Sequence, residues 1–401
     1  MKKIAIIINT LQSGGAERVA AILSCELSKS AEVFLILNDD SGIAYKYSGS
    51  IVIAPSAKTG SGIIARLWPA VKRMLFIRKF KKEKGITASI SFMATSNIYN
   101  VLTKVSEKTI VTVHNITDGI FAHTLDSERS ALGTAVAQIA KYVFRNADKI
   151  VVVSTPLKTG LVDHVKIEPD KIDVIYNPVE MPKIEKMCEE PISESDICSP
   201  QYPAFVTVGR LEEQKGQWHL IRAFSKVKKT LTNSKLVIMG CGALEKELKE
   251  LTNDLNLDGS VFFLGFRQNP FKYIHKSSAF VFSSMYEGFG NVLIEAMGCG
   301  IPVISTDCAA GPREILAPGT PLGGALKEIE YAEYGILTPV CDGTHHSADT
   351  GLTKEEELLA DAMIKLYSDK AMMAEYKNKA KPRAMDFDIS KIMPLYEKAL
   401  L

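Results

Sequence analysis

Paired cysteines and long apolar runs are the features that this sequence most clearly lacks. Seven cysteines are scattered singly along its 401 residues, and no Cys-x-x-Cys pair occurs among them. An odd, unpatterned set predicts reduced thiols rather than a disulfide framework. No run of eighteen apolar residues is present, so we expect no membrane-spanning helix. The short apolar run Ile4–Ile8 predicts a buried strand rather than a signal peptide, and the protein is expected to be cytoplasmic.

Several chemical signatures are also absent. The sequence contains no Walker loop, no Ser-His-Asp arrangement and no cluster of carboxylates suited to a metal ion. Its one histidine cluster, His345-His346, lies in a polar, Gly-rich stretch that predicts a loop rather than a metal site. A net charge of +2 is too small to indicate nucleic-acid binding. The sequence therefore predicts no metal, no cofactor and no nucleic-acid partner.

What the sequence does contain is enough chain for two α/β domains. Its 401 residues are 46% apolar and 23% charged, as in a globular protein too long for one core. Short Ile- and Val-rich strands alternate with helical segments on either side of a Pro-rich stretch, which predicts two doubly wound parallel sheets of the Rossmann type. We expect a first domain over 1–180, a linker over 181–203, a second domain over 204–385, and a helix near 386–401 that packs back on the first domain.

The turn after the predicted strand Ala204–Val208 carries two cations. Arg210 and Lys215 stand five residues apart, just ahead of a predicted helix. A helix N-terminus favours anions, and Arg and Lys add bidentate and point-charge contacts. The pattern fits either a diphosphate site or two solvated surface charges.

A second turn combines glycines with two glutamates. The predicted strand Ala279–Ser283 is followed by Glu287-Gly288-Phe289-Gly290-Asn291, and Glu295 lies about one turn inside the next helix. The glycines let backbone amides approach a ligand, and carboxylates accept hydrogen bonds from the hydroxyls of sugars. We expect both carboxylates to face one ligand, although Glu295 also fits a buried acid that is paired with a neighbour.

Two weaker signals lie in the first half of the chain. His114 follows the predicted strand Thr109–Val113, at the strand end where open parallel sheets bind ligands. Gly14-Gly15 opens a predicted helix, but it lacks the full G-x-G-x-x-G fingerprint of dinucleotide-binding proteins. Gly15 is predicted to offer its amide to a ligand, with a simple tight turn as the alternative.

Together these motifs resemble the retaining glycosyltransferases of the GT-B fold, in the large fourth family also called glycosyl transferases group 1. The resemblance covers most of the chain and is strongest over Phe205–Ile315. It depends above all on Gly-Arg-x-x-x-x-Lys-Gly at 209–216, followed by two glutamates eight residues apart around Gly-Phe-Gly. The family includes bacterial enzymes of polysaccharide and glycan assembly.

The resemblance implies a role for each motif in a cleft between the two domains. Arg210 and Lys215 would bind the diphosphate of a nucleotide sugar, most often UDP-linked, and Glu295 the ribose. Glu287 would hold the transferred hexose or N-acetylhexosamine, and His114 would contact that sugar near the reacting centre. The family needs no metal. Residues assigned to donor binding are Gly15, Arg210, Lys215, Phe266, Arg267, Glu287, Gly288, Phe289, Gly290, Asn291 and Glu295.

The acceptor is less defined by the sequence. Residues 63–85 interleave eight basic residues, from Arg66 to Lys84, with Trp68, Leu75 and other apolar residues. Such a segment fits a helix on an anionic membrane surface or a solvated helix that covers its own domain. Because some family members act on lipid-linked saccharides, we expect peripheral membrane contact and a glycan or lipid-linked acceptor.

Two other functions are compatible with these features. A nucleotide-sugar epimerase can share the two-domain fold, and a non-catalytic partner subunit of a transferase could retain it. The spacings of Arg210 with Lys215 and of Glu287 with Glu295 favour a transferase.

Overall fold

The computed structural model describes residues 2–12, 14–55, 63–115, 131–192 and 204–400. Its contacts divide the chain into two compact units. The first comprises Met1–Pro178 together with Ser390–Leu401, and the second comprises Val179–Ile389.

The first unit is built on a parallel sheet of seven strands within the described residues. They are β1 (Lys2–Ile7), β2 (Ala31–Leu37), β3 (Ser50–Ile53), β4 (Ala88–Ser91), β5 (Lys108–Val113), β6 (Lys149–Val152) and β7 (Ile172–Val174). Their order is β3-β2-β1-β4-β5-β6-β7. The central strands β1 and β5 are buried along most of their length, because helices cover a doubly wound sheet on both faces.

The second unit repeats this order over its own described strands. They are β8 (Ala204–Val208), β9 (Lys235–Met239), β10 (Val261–Gly265), β11 (Ala279–Phe282), β12 (Val303–Thr306), β13 (Glu330–Tyr331) and β14 (Ile336–Thr338). The order β10-β9-β8-β11-β12-β14-β13 is parallel except for β13, which pairs antiparallel with β14. The two doubly wound sheets confirm the predicted fold class, with one antiparallel strand that the sequence did not indicate.

Fourteen α-helices connect the strands in the part of the chain that is described. They are α1 (Gly15–Leu27), α2 (Ile63–Lys84), α3 (Ala94–Leu102), α4 (Ala131–Asn146), α5 (Thr155–Gly160), α6 (Met181–Cys188), α7 (Gln217–Thr230), α8 (Glu245–Asp254), α9 (Phe271–His275), α10 (Asn291–Gly298), α11 (Pro312–Leu316), α12 (Lys354–Ser368), α13 (Lys370–Ala384) and α14 (Ile389–Leu400). None of these helices has the length and apolar character needed to cross a bilayer.

Helix α7 is central to the second unit because it packs on the sheet and on α12. Its residues Leu220 and Phe224 are fully buried with Leu359 and Met363 of α12 in one apolar cluster. Helix α12 begins at a capping box, in which Thr353 and Glu356 satisfy each other's backbone amides. The first turns of α7 are therefore packed against α12 in the core of the second unit.

The predicted linker needs correction at its beginning. Residues Met181–Cys188 form helix α6, and Ile184 and Cys188 are buried. The apolar residues Met181, Ile184 and Cys188 recur at helical spacing, which four nearby prolines obscured in the sequence. Residues 193–203 of the predicted linker lie outside the described residues.

Candidate functional site

The second sheet reverses its strand order between β8 and β11. The chain leaves β8 towards β9 on one side and leaves β11 towards β12 on the other. Loops that follow the two strands of such a switch point diverge, and the crevice between them is where open α/β sheets bind ligands. Here those loops carry residues 209–216 and 283–290, the two motifs singled out from the sequence.

Lys215 and Glu287 form an ion pair at this switch point. Lys215 Nζ lies 2.5 Å from Glu287 Oε1, and only 17% and 9% of the two side chains are exposed. The ammonium also lies 5.3 Å from the centroid of the Phe282 ring. The pair therefore places one cation and one carboxylate, 72 residues apart in sequence, in a site largely screened from water.

Hydrogen bonds fasten the two loops together around this pair. Ser283 Oγ donates to the carbonyl of Lys215 at 2.9 Å, and the amide of Met285 donates to the carbonyl of Gln214 at 2.8 Å. Gly216 adopts φ +57°, and a Cβ there would lie 2.5 Å from the carbonyl oxygen of Ser283. Glycine is thus required for the close approach of these loops.

The glycine turn 288–290 leads into helix α10. Phe289 is buried and packs edge-on against Phe387 with a ring separation of 5.7 Å, so its side chain belongs to the core. Gly311 has φ +94°, and a Cβ there would meet the carbonyl oxygen of Phe289 at 1.7 Å. Asn291 is the first residue of α10, and Glu295 lies on the same helix, half-buried. The turn therefore presents its backbone at the start of a helix.

Other residues predicted for the site lie at the surface. Arg210 is 66% exposed, and its guanidinium pairs with Glu212 at 3.0 Å rather than with Glu287. Phe266 is 67% exposed, whereas Arg267 is half-buried. The structure thus brings Lys215 and Glu287 together but leaves Arg210 on the rim, and the roles assigned to all these residues stay predictions.

A buried ionic network between α7 and α12 was missed in the sequence. Glu356 is fully buried and accepts hydrogen bonds from Arg222 Nε at 2.9 Å, while its Oε1 lies 2.7 Å from His219 Nδ1. Burial acts to raise the pKa of Glu356, but hydrogen bonds from His219 and Arg222 outweigh it and lower that pKa. Two sequence features could have indicated this network. His219 and Arg222 stand three residues apart on one face of a predicted helix, and Glu356 stands at the glutamate position of a capping box.

The histidine pair 345–346 also has charged neighbours. The His345 ring stacks on Trp218 at 4.1 Å, and its nitrogens lie 2.5 Å and 2.8 Å from carboxylates of Glu247 and Glu213. Partial burial acts to lower the pKa of His345, but these two hydrogen bonds outweigh it and raise that pKa. Across the described residues, no group of three or more His, Cys, Asp or Glu side chains is placed to hold a metal ion.

The first unit places its two predicted site residues at the carboxyl edge of its own sheet. His114 follows β5, where its Nε2 lies 3.0 Å from Thr112 Oγ1 and its ring lies 5.3 Å from that of Phe92. Burial lowers the pKa of His114 to about 4, so the imidazole is neutral at physiological pH. Gly15 is the first residue of α1, and the preceding Gly14 amide donates to the Tyr45 hydroxyl at 3.1 Å.

Comparison with known families and proteins gives a consistent result. The family model of Glycosyltransferase Family 4 matches residues 13–181, and that of Glycosyl transferases group 1 matches residues 193–332. A glycosyltransferase of Methanocaldococcus jannaschii is 37% identical over 345 residues, which cover 82% of each chain. The N-acetylgalactosamine-N,N'-diacetylbacillosaminyl-diphospho-undecaprenol 4-alpha-N-acetylgalactosaminyltransferase of Campylobacter jejuni is 31% identical over 394 residues, or 98% of this chain and 97% of the relative.

Solved structures agree on the fold. Anabaena HepE in complex with UDP superposes with a TM-score of 0.74 at 19% identity, covering 100% of this chain and 99% of that one. The sucrose-phosphate synthase of Thermosynechococcus elongatus gives a TM-score of 0.74 at 18% identity, with 99% of both chains covered. With two relatives above 30% identity that match most of its length, the chain belongs to the glycosyl transferases group 1, glycosyltransferase family 4, and has the GT-B fold.

Proposed function

We propose that this glycosyltransferase moves a hexose or N-acetylhexosamine from a UDP-linked sugar to a glycan or lipid-linked saccharide, with retention at the anomeric carbon. The observation that carries the proposal is the Lys215–Glu287 pair at the switch point between β8 and β11. A nucleotide sugar offers what such a pair can bind, namely a diphosphate for the cation and sugar hydroxyls for the carboxylate.

The proposed chemistry follows from the charges of the site. As the bond between sugar and diphosphate breaks, negative charge grows on the leaving phosphate. Lys215, held in a site of low exposure, stabilises that charge more strongly than it would in water. Arg210, on the rim of the same loop, adds a bidentate contact once it leaves Glu212. A leaving phosphate oxygen accepts the acceptor's proton, and Glu287 orients the sugar without becoming covalently bound.

Relatives support the choice of donor and acceptor. HepE is described in complex with UDP. The Campylobacter relative is named as an N-acetylgalactosaminyltransferase that acts on a diphospho-undecaprenol saccharide. The first favours a UDP-sugar donor for this chain, and the second favours a lipid-linked acceptor, in the assembly of a bacterial surface glycan.

The proposal is tested by a panel of UDP-, GDP- and ADP-sugars, first for binding and then for transfer to synthetic polyprenyl-diphosphate saccharides. Transfer from a UDP-sugar with formation of an α-linkage supports it. Conversion of a UDP-sugar to its epimer without acceptor indicates an epimerase instead. Inactivity with every donor, whether or not a nucleotide sugar binds, indicates a non-catalytic partner subunit.

We further propose that the reaction needs no divalent metal, because lysine and arginine supply the positive charge at the leaving diphosphate. Transfer is then expected to continue at an undiminished rate in excess EDTA. The check is the initial rate of transfer with EDTA and with added Mg²⁺ or Mn²⁺. Loss of activity in EDTA that Mn²⁺ restores would contradict this part of the mechanism.

Helix α2 supports a peripheral membrane contact on one of its faces. Trp68, Lys72, Leu75, Lys79 and Lys82 recur at intervals of three and four residues and are all exposed. The largest of them, Trp68 and Leu75, are 57% and 62% exposed. Because this face combines apolar and basic side chains, we propose that it lies on an anionic lipid surface.

Several basic residues of the predicted segment do not belong to that face. Lys81 is buried and pairs with Glu107 at 2.8 Å, and Arg73 is buried with its guanidinium over the Tyr99 ring. Burial lowers the pKa of Lys81 to about 8. The side chain of Arg66 lies outside the described residues. Arg78 donates to the carbonyl of Lys104, and the Lys84 ammonium lies over the Phe34 ring. The membrane contact is therefore assigned to Lys72, Lys79 and Lys82 rather than to the whole basic segment.

Replacing Lys72, Lys79 and Lys82 with serine is expected to abolish co-sedimentation with phosphatidylglycerol vesicles. Each basic residue at such a surface contributes about 1 kcal/mol, and salt screens the attraction. The control variant removes three exposed lysines of the second unit, Lys229, Lys246 and Lys377, and should sediment like the wild type. Equal sedimentation of both variants, or none with wild type, would leave α2 as a solvated helix.

A further inference from the structure

The hydrogen bonds around His114 determine which of its ring nitrogens carries the proton. Thr112 and His114 are two residues apart, so both side chains project from the same face of the sheet. The Thr112 hydroxyl donates to the carbonyl oxygen of Ser91 at 2.8 Å. A hydroxyl has one proton, and this one is committed. The contact of 3.0 Å between His114 Nε2 and Thr112 Oγ1 must therefore be donated by the histidine.

The acceptor of the threonine proton is held firmly in place. Ser91 lies on β4, and its own hydroxyl donates to Asn97 Oδ1 at 2.7 Å and accepts from Asn100 Nδ2 at 3.1 Å. Asn97 in turn donates to the carbonyl of Thr112 at 2.8 Å. All four side chains are buried. The Thr112 hydroxyl is thus fixed in one orientation by two neighbouring strands and by α3.

With Nε2 protonated, Nδ1 of His114 carries a lone pair and can only accept. This atom is buried and has no hydrogen-bond partner among the residues that the structure describes. Protonation does not relieve it near neutral pH, because burial lowers the pKa of His114 to about 4. A buried acceptor without a donor is unfavourable, and a donor on a bound ligand, such as a hydroxyl, would satisfy it.

We infer that Thr112 is a positioning residue, which holds His114 as the Nε2–H tautomer so that Nδ1 accepts a hydrogen bond from a hydroxyl of the transferred sugar. The inference rests on the proposed function, together with the contact between His114 and that sugar that the family resemblance implies. It also assigns a specificity. A neutral sugar with a free hydroxyl at that position is accepted, whereas a carboxylate there carries no proton at neutral pH and faces a bare lone pair. A donor sugar with a carboxylate at that position is therefore expected to bind more weakly than one with a hydroxyl there.

The test compares Thr112→Val, which removes the hydroxyl at nearly constant shape, with Thr112→Ser, which retains it. Proteins with ¹⁵N-labelled histidine are studied by NMR without ligand, and His114→Gln identifies the signal. We expect the Nε2–H tautomer in the wild type and in Thr112→Ser, and a mixture of tautomers in Thr112→Val. The affinity for UDP-N-acetylgalactosamine should fall about tenfold in Thr112→Val, as for one lost hydrogen bond, while that for UDP stays unchanged.

The possible results distinguish a failure of the role assigned to Thr112 from a failure of the proposed function. An unchanged tautomer in Thr112→Val overturns the positioning role. So does an equal loss of UDP and UDP-N-acetylgalactosamine binding, which indicates structural damage. If wild type binds no nucleotide sugar but Thr112→Val still changes the tautomer, the proposed function fails and the role of Thr112 in fixing the imidazole stands.

Discussion

Replacing Lys215 with alanine is expected to lower the turnover number of glycosyl transfer about a hundredfold. The substitution removes the cation proposed to stabilise the leaving diphosphate. It also leaves Glu287, of which only 9% is exposed, without its ion-pair partner at 2.5 Å. The lost charge stabilisation acts in the transition state more than in the bound donor, so kcat should fall more than KM rises. Initial rates over a range of donor concentrations measure this.

Lys229→Ala is the matched control for this substitution. Lys229 is exposed and lies near the end of α7, the helix that follows the loop with Lys215. It should retain wild-type rates, and melting temperatures should show that both variants are folded. A Lys215→Ala enzyme that turns over at nearly the wild-type rate would show that Lys215 serves only to neutralise Glu287.

Replacing Glu356 with alanine is expected to reduce the stability of the second unit by about 3–5 kcal/mol. The change leaves the fully buried Arg222 guanidinium without its carboxylate and removes half of the capping box of α12. Arg222 also donates to the carbonyls of Thr350 and Gly351, so a guanidinium that has lost its carboxylate should hold the loop before α12 less firmly on α7. The measurement is calorimetric melting, in which the transition of the second unit should move to lower temperature.

The exposed neighbour Glu357 provides the control, and Glu357→Ala should change stability by less than about 0.5 kcal/mol. The stabilisation from Glu356 also has a defined pH dependence. Because its pKa is lowered in the folded state, its contribution is complete above the unfolded pKa near 4.5 and is lost as pH falls through the folded value. Equal melting temperatures for Glu356→Ala and Glu357→Ala would contradict the importance of the network.

Much of the fold was predictable because parallel strands that are buried on both faces appear in the sequence as continuous runs of apolar residues. The predicted bounds of β8 coincide with the observed Ala204–Val208, and those of β5 and β11 each differ from the observed strand by one residue at one end. Strand β13 was not predicted. It has two residues, one exposed and one half-buried, so it leaves no apolar run in the sequence.

The sequence predicted which two loops form the candidate site, but it did not predict which of their side chains pair with each other. The glycines and charges of 209–216 and 283–290 are local patterns, and the alternation of strands and helices places both at strand ends. Lys215 pairs with Glu287, which lies 72 residues later in the chain, whereas Arg210 pairs with Glu212 in its own loop. The sequence does not reveal these pairings, because they depend on how the two loops fold against each other. The Glu356 network is similarly non-local, since its arginine lies 134 residues earlier in the chain.

In the basic helix α2, too, the sequence does not predict which lysines are buried. Its sequence predicts one amphipathic segment, but composition alone does not separate the exposed Lys79 from the buried Lys81. The difference arises because Glu107 and Asn100, from later in the chain, provide an anion and oxygen acceptors for Lys81. A buried lysine needs such partners, and only the tertiary structure reveals them.

Hydrogen exchange of the protein with and without UDP tests most directly whether the loops around Lys215 and Glu287 bind the nucleotide donor. UDP is expected to slow amide exchange in residues 209–216 and 284–295, the two loops and the helix start at the switch point of the second sheet. Peptides from the exposed helix face of α2 should exchange at unchanged rates. Protection confined to other segments of the chain, or no protection at saturating UDP, would contradict the proposed donor site.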